Sequence, residues 1–396
     1  MKQFLRKNIW IFLIISLAIL FPQSLSTQAE LNTRMIISGI GIDFDGTNYQ
    51  ITAQAVLPSS NSKESGINAQ VDHVSASAET ISQAMSEISN KFGKNAELSH
   101  TEFILLGNQI ENKNIVGELD FFFRNFKLKN SIMLLTCEKS AKETIEKIGK
   151  LDMGVALSLQ KIFISEEENM HSLNKSYVEF VIDSFKPSAT SQIDTLEFED
   201  TEENESKEKQ SKAKLKLNTP IKLFKNGVFT SKIEDKEMIN AFYLCNKKSR
   251  SGNIQLKNFS FGDAINANIN LRIDNIKTKK YVTFGDNPTL HVDIKIVEAS
   301  IDEISTKGMN KNLYRSVIQK DLQQAIINAA QEKITNGIYE LFNYTKSINY
   351  DIFGVENLAS MFNLDEWNNY IQKLDGKSKL LENVSIDISV EFDKFR

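Results

Sequence analysis

The chain has 396 residues, 41% hydrophobic and 25% charged, with a formal net charge of −4. This is an ordinary globular balance, long enough for two or three domains of typical size. A nucleic-acid binder carries a strongly basic face, so that class is set aside.

Lys2, Arg6 and Lys7 precede an apolar run from Ile9 to Phe21. The run has signal-peptide length and falls short of the ~20 residues of a spanning helix. Thr27-Gln28-Ala29 is a weak cleavage site ending at Ala29. The positive end is expected to stay in the cytoplasm while the rest is exported. Segment 1–29 is therefore a signal peptide cut after Ala29, or an uncleaved membrane anchor.

The next two stretches, RMIISGIGID and YQITAQAVL, read as strands, with Tyr49, Ile51, Ala53, Ala55 and Leu57 alternating in the second. Asp45-Gly46 between them is a hairpin signal, because glycine supplies positive φ without steric cost. In SASAETISQAMSEISNKFG, Ile81, Ala84, Met85, Ile88 and Phe92 share one helical face, with Ser77 as N-cap and Gly93 as C-cap. HTEFILLG is a short buried strand. NIVGELDFFFRNF spaces Ile115, Leu119, Phe122 and Phe126 as a helix, and SIMLLTC is another strand. Ser140 and Glu143 suggest a capping box for SAKETIEKIG, and YVEFVIDSF is a helix ending before Pro187. Alternating strands and helices predict an N-terminal α/β domain over 30–198.

Residues 199–216 are expected to be a charged linker, since EDTEENESKEKQSKAK has no apolar residue except Ala213. A small middle domain is expected over 217–275. It opens with the hairpin IKLFKNGVFTSKI, turning at Asn226-Gly227, and the helix KEMINAFYLC. GNIQLKNF, AINANINLRI and LHVDIKIVE read as strands. A C-terminal α+β domain over 276–396 carries a long helical pattern from Asn312 to Tyr344, including Val317 and Ile318, and closes on the alternating strand NVSIDISVEFDKF. The fold class expected is α+β, multi-domain, with mixed sheets packed against helices.

The residues offer little chemistry. Gly39-Ile40-Gly41 has Phe44 where a dinucleotide fingerprint needs its third glycine, and a strand follows in place of a helix. Asp43-Phe44-Asp45-Gly46 resembles the start of a calcium loop but lacks the third acidic position and the closing glutamate. Two acids at a turn usually cap it through backbone N–H groups. His73, His100, His171 and His291 are scattered, with no metal-ligand spacing. His100 sits at the edge of a buried strand and reads as a structural histidine. No nucleophile elbow or S-x-x-K set is present. In an exported chain Cys137 and Cys245 could pair, but Cys137 ends an apolar run, where a free cysteine serves as a small hydrophobe. The residues thus point to an exported, non-enzymatic protein built for contact, with no cofactor and no metal.

The order of several segments resembles the Ger(x)C family, the C subunits of bacterial spore nutrient-germinant receptors. The segments are MIISGIGIDFDGTNYQITAQAVLPS, ELSHTEFILLGNQI, ELDFFFRNFKLKNSIMLLTCEKSAKETI, IKLFKNGVFTSKIEDKEMINAFYLC and YDIFGVENLASMF followed by EWNNY. Family members usually carry a lipidated cysteine at the mature N-terminus. SLSTQAELNTR has none, so no lipid modification is expected there. The resemblance implies a multi-domain α+β ectodomain on the outer face of the spore inner membrane. It also implies assembly with polytopic A-type and B-type receptor subunits, and no reaction. Gly39, Gly41, Asp43, His100, Arg124, Asp351 and Gly354 match family motif positions, as candidate interaction residues or as residues that fix the fold. Arg124, on a phenylalanine-rich helix, is the best candidate for a specific ion pair, since a half-buried arginine needs a partner. The alternatives are a secreted or surface-tethered solute-binding protein and an exported hydrolase with a triad assembled only in space.

Overall fold

The computed structural model describes residues 34–58, 69–124, 128–149, 159–168, 170–199, 214–216, 220–245, 250–261, 264–305, 320–374 and 380–396. Segment 1–29 with Ala29, together with Phe126, Val317, Ile318 and most of the charged stretch, lies outside these residues.

Strands β1 (Arg34–Phe44) and β2 (Tyr49–Pro58) form the expected hairpin. Its turn is held by Asp45 Oδ1, which accepts from Thr47 N at 2.8 Å and Asn48 N at 2.7 Å, while Gly46 takes φ +104°. Strand β3 (Ala69–Ala78) pairs with β2, and its ladder sets Ser77 opposite Gln50. Ser77 is therefore a strand residue. The cap of helix α1 (Ile81–Phe92) is Thr80, whose side chain accepts from Gln83 N, and Gly93 closes the helix at φ +62°. β4 (Asn95–Glu97) and β5 (Phe103–Leu106) both run parallel to β1.

The phenylalanine-rich stretch breaks at Leu119 into two short helices, α2 (Ile115–Glu118) and α3 (Asp120–Arg124). β6 (Met133–Thr136) lies parallel to β5 and completes the sheet order β3-β2-β1-β5-β6, with β4 also on β1. Helix α4 (Ala141–Ile148) follows, with Ser140 accepting from Lys142 N. The reciprocal capping box forms instead at Ser176 and Glu179. Those residues open α6 (Tyr177–Ser184), which comes after α5 (Leu159–Glu168). The two faces of the sheet are covered differently. Ile40, Ile42 and Ile51 pack with Ile81, Ala84 and Ile88 of α1. Phe103 and Leu105 pack on the other face with Ala141, Ile145 and Ile148 of α4.

Strand β7 (Thr190–Asp194) pairs with β10 (Ile221–Lys225), which pairs with β11 (Val228–Ile233), so chain on both sides of the charged stretch shares one sheet. The ends of that stretch are drawn together by β8 (Glu197–Glu199) and β9 (Lys214–Lys216). Asn226-Gly227 makes the expected turn, at φ +52° and +76°. Asp235 caps α7 (Lys236–Leu244).

A second large sheet has the order β12-β13-β14-β15, from β12 (Ser251–Phe261), β13 (Ala264–Phe284), β14 (Pro288–Ser305) and β15 (Ser385–Phe395). The boundary expected at 275–276 falls inside β13, whose ladder with β14 runs from Asn268 to Phe284. The first three strands are antiparallel. β15 returns parallel to β14 through α8 (Lys320–Ser347), α9 (Val355–Phe362) and α10 (Leu364–Lys373). Leu290, Val292, Ile294 and Ile296 alternate along β14 and bury against Ile326, Ile334, Ile338 and Leu341 of α8. The other face is polar, with His291 Nδ1 3.0 Å from Asp387 and Lys295 2.9 Å from Asp393. Cys137 and Cys245 are both buried and free. Burial pushes each thiol up to about 12, so both act as small core side chains.

Candidate functional site

The motif Gly39-Ile40-Gly41-Ile42-Asp43 lies on β1, and alternate residues point to one face. That face receives α4. A Cβ at Gly39 would fall 2.2 Å from Phe103 Cζ, and one at Gly41 would fall 2.7 Å from Ile145 Cδ1. The glycines let β5 and α4 approach the strand. Asp43 then caps α4: Ala141 N donates to Oδ1 at 2.7 Å and Lys142 N to Oδ2 at 3.0 Å. Ser140 Oγ also donates to Oδ2, at 2.9 Å. A carboxylate at a helix N-terminus satisfies free amides and suits the helix dipole. Gly107 completes the fit, since a Cβ there would meet Asp43 Oδ1 at 2.0 Å. The acidic glycine motif is thus a hairpin and a helix seat.

Asp351 and Gly354 build a second helix start. Asp351 is buried and accepts from Val355 N at 2.8 Å and Glu356 N at 2.9 Å. Burial raises its carboxyl above the ordinary carboxylate range, against the pull of those amides. Gly354 stands at φ +73° at the N-cap of α9, a conformation costly for other residues. Around it, Thr190 Oγ1 donates to Asp351 O at 3.0 Å, Asn357 Nδ2 to Ser188 Oγ at 2.8 Å, and Tyr350 OH to Ser191 O at 2.7 Å. The motif ties the start of β7 to the end of α8. His100 is exposed in the turn between β4 and β5, where Thr101 N donates to Leu98 O.

Arg124 is exposed, not half-buried. Its Nε donates to Asp120 Oδ2 at 2.7 Å, one turn back on α3. An exposed pair of this kind contributes little to stability. Its position is more informative. The pair stands between two hollows, one lined by Tyr49, Ile81 and Phe121, the other by Val116, Phe123, Val178, Ile182, Phe185 and Lys186. The second is a groove of 870 Å³ between α3 and α6. Its apolar side chains are unusually open: Phe185 is 78% exposed, Phe123 54% and Ile182 53%. A contiguous exposed apolar patch of this kind marks an interaction surface. A second exposed apolar corner, Met361, Phe362 and Leu364, joins α9 to α10.

Sequence reasoning singled out Arg124 and missed Phe123, Ile182 and Phe185. The signal was present: DFFFR and YVEFVIDSF carry more apolar residues than one buried helix face can hold. Beside the groove, Asp183 sits between Lys175 and Lys186. Burial raises the Asp183 carboxyl, but the two ammonium groups outweigh it and hold it below its ordinary value of 3.8. Among the described residues no group of three or more His, Cys, Asp or Glu is placed to hold a metal ion. No helix among them is long and apolar enough to cross a membrane.

Residues 27–193 match the family described as "Spore germination protein N-terminal domain". Residues 219–393 match "Spore germination B3/ GerAC like, C-terminal". The chain belongs to the Ger(x)C family of spore germination proteins. Together the matches span most of the chain and leave the charged stretch between them. The fold is similar to a solved structure described as "Crystal Structure of the GerBC protein", with a TM-score of 0.52 and 14% identity. That similarity covers 90% of this chain and 96% of the other. Comparison with curated proteins finds no match. Ger(x)C proteins are germinant-receptor subunits associated with the spore membrane, so this chain is a multi-domain α+β member of that class.

Proposed function

We propose that this protein is an exported C subunit of a spore germinant receptor that carries out no reaction and acts by docking. In this reading it lies on the outer face of the membrane, assembles with polytopic A-type and B-type subunits, and is required for nutrient-triggered germination. The observation that carries the reading is the groove between α3 and α6. Phe123, Ile182 and Phe185 stand exposed around a concave apolar surface, with the Asp120–Arg124 pair on its lip. Apolar anchors with a polar rim are the usual anatomy of an interface core. The motif residues then have a supporting role: Gly39, Gly41 and Asp43 seat α4, and Asp351 and Gly354 tie β7 to α8 and α9. Arg124 and His100 remain on the surface as candidate contacts.

The test is genetic. A strain lacking the gene is complemented with the wild type or with Phe123→Ser/Phe185→Ser, and loss of spore refractility is followed after nutrient addition. The expected result is full rescue by the wild type and strongly slowed germination with the double variant at equal protein level. Normal germination of the deletion strain in every nutrient its parent responds to contradicts the reading.

A further inference from the structure

The second exposed apolar surface differs in shape from the groove. At the corner between α9 and α10, Met361 is 73% exposed, Phe362 72% and Leu364 54%. Residues 361–364 thus hold three apolar side chains in solvent around one turn. They form a tip, not the long helical stripe that lies in a protein groove. The tip stands on a packed base. Trp367 and Tyr370 of α10 are buried, with ring centroids 5.6 Å apart. Trp367 also meets Phe284 of β13 edge-on at 6.3 Å, and Tyr370 OH donates to Leu380 O at 3.1 Å. The backbone of the turn is bonded too: Asn363 N donates to Ala359 O at 2.8 Å, and Trp367 N to Asn363 O at 2.9 Å.

Strand registers show which end of the fold carries this tip. β1, β5 and β6 run parallel, with Gly39 beside Phe103 and Phe103 beside Met133. Thr136 bridges Thr195 in the same sense, which sets Gln192 of β7 level with Met133. Ser188, four residues before Gln192, is then level with Met35, four residues before Gly39. Ser188 N donates to Asn357 Oδ1 at 3.1 Å, and Asn357 Nδ2 to Ser188 Oγ at 2.8 Å, so α9 starts at this end. Met361 and Phe362 follow Asn357 by about 6–8 Å along the helix. The corner therefore lies toward the end of the fold where Arg34 begins β1. The apolar run Ile9–Phe21 joins the fold at that end, and the chain from Phe21 to Arg34 spans at most about 45 Å. Retained in a membrane, the run keeps this end of the molecule toward the bilayer.

We propose that the α9–α10 corner inserts into the surface of a lipid bilayer, with Met361, Phe362 and Leu364 at the boundary between headgroups and acyl chains. Exposed apolar side chains grouped at one place mark such contacts, and insertion scales with the apolar area buried. Asp365 and Glu366 are exposed in the first turn of α10, beside the tip. They repel an anionic surface, so the corner suits a zwitterionic headgroup such as phosphatidylcholine. This inference rests on the membrane-bound reading above and deepens it. It gives the folded chain a lipid contact of its own, separate from the docking groove and from segment 1–29.

The test is fluorescence of the full-length protein reconstituted in phosphatidylcholine vesicles, with no other protein present. Phe362→Cys is labelled with an environment-sensitive dye; Cys137 and Cys245 are buried and leave the new thiol as the reactive one. Thr47→Cys, exposed in the β1–β2 turn at the opposite end of β1, is the control. The dye at position 362 is expected to emit further to the blue. Its ratio of quenching by doxyl-labelled lipid to quenching by aqueous iodide should be several-fold higher than at position 47. A dye on Met361→Cys should report the same depth, and should lose it when Phe362→Ser and Leu364→Ser are added. Equal quenching ratios at 362 and 47, or a depth at 361 that survives the two serines, overturns the proposal. So does a lipid signal that appears only with phosphatidylserine. A deletion strain that germinates normally contradicts the receptor reading and leaves this result standing, because the vesicles hold lipid alone.

Discussion

Asp43 collects two helix amides and a hydroxyl at one carboxylate, so its removal costs more than one hydrogen bond. Asp43→Ala is expected to lower stability by about 1–2 kcal/mol, the upper range for loss of a helix cap, in urea titrations followed by circular dichroism. Gly39→Val fails differently, because its added carbons enter space held by the Phe103 ring. Overpacking there is expected to cost about 3 kcal/mol or to prevent folding. Asp183 gives a pH signature. Burial raises its carboxyl, Lys175 and Lys186 lower it further, and the net value lies below 3.8. A depressed carboxylate stabilises the fold fully above its unfolded value and loses that contribution as pH falls through its folded value. Asp183→Asn is therefore expected to lose roughly 1–2 kcal/mol at neutral pH, discounted for the exposure of Lys186. The gap to wild type should narrow below about pH 4; a gap independent of pH across that window counts against the assignment.

Whole elements show which signals a linear sequence carries. The β1–β2 hairpin, α1 and β15 were legible because one face of each is buried, which writes a clean period of 2 or 3.6 into the residues. Capping was legible only locally. The cap of α4 is shared with Asp43, 98 positions from Ala141, and no local pattern announces it. Ser77 was misread because β3 extends to Ala78 and the helix starts after it. The groove was the least legible feature. Its residues lie on and beside α3 and α6, some 60 positions apart, and the apolar excess of DFFFR and YVEFVIDSF shows that some side chains stay exposed but not that the two sets meet. For α9, Gly354 at φ +73° leads to a simple expectation. Gly354→Ala should cost about 1–2 kcal/mol and loosen the junction with β7, read as faster amide exchange at Val355 and Glu356.

At the scale of the molecule, two large sheets are joined by the β7-β10-β11 ladder and by the polar contacts around Asp351. The described residues thus form a continuous scaffold with exposed apolar side chains around the groove between α3 and α6 and at the α9–α10 corner. A scaffold that positions one docking face suits a subunit that signals through contact. The most direct test is affinity purification of C-terminally tagged protein from detergent-solubilised native membranes, with co-purifying proteins and the mature N-terminus read by mass spectrometry. Two polytopic receptor subunits are expected with the wild type and are expected to be lost from Phe123→Ser/Phe185→Ser. Recovery of the wild-type protein alone, or equal recovery of both subunits with the variant, contradicts the docking role assigned to the groove.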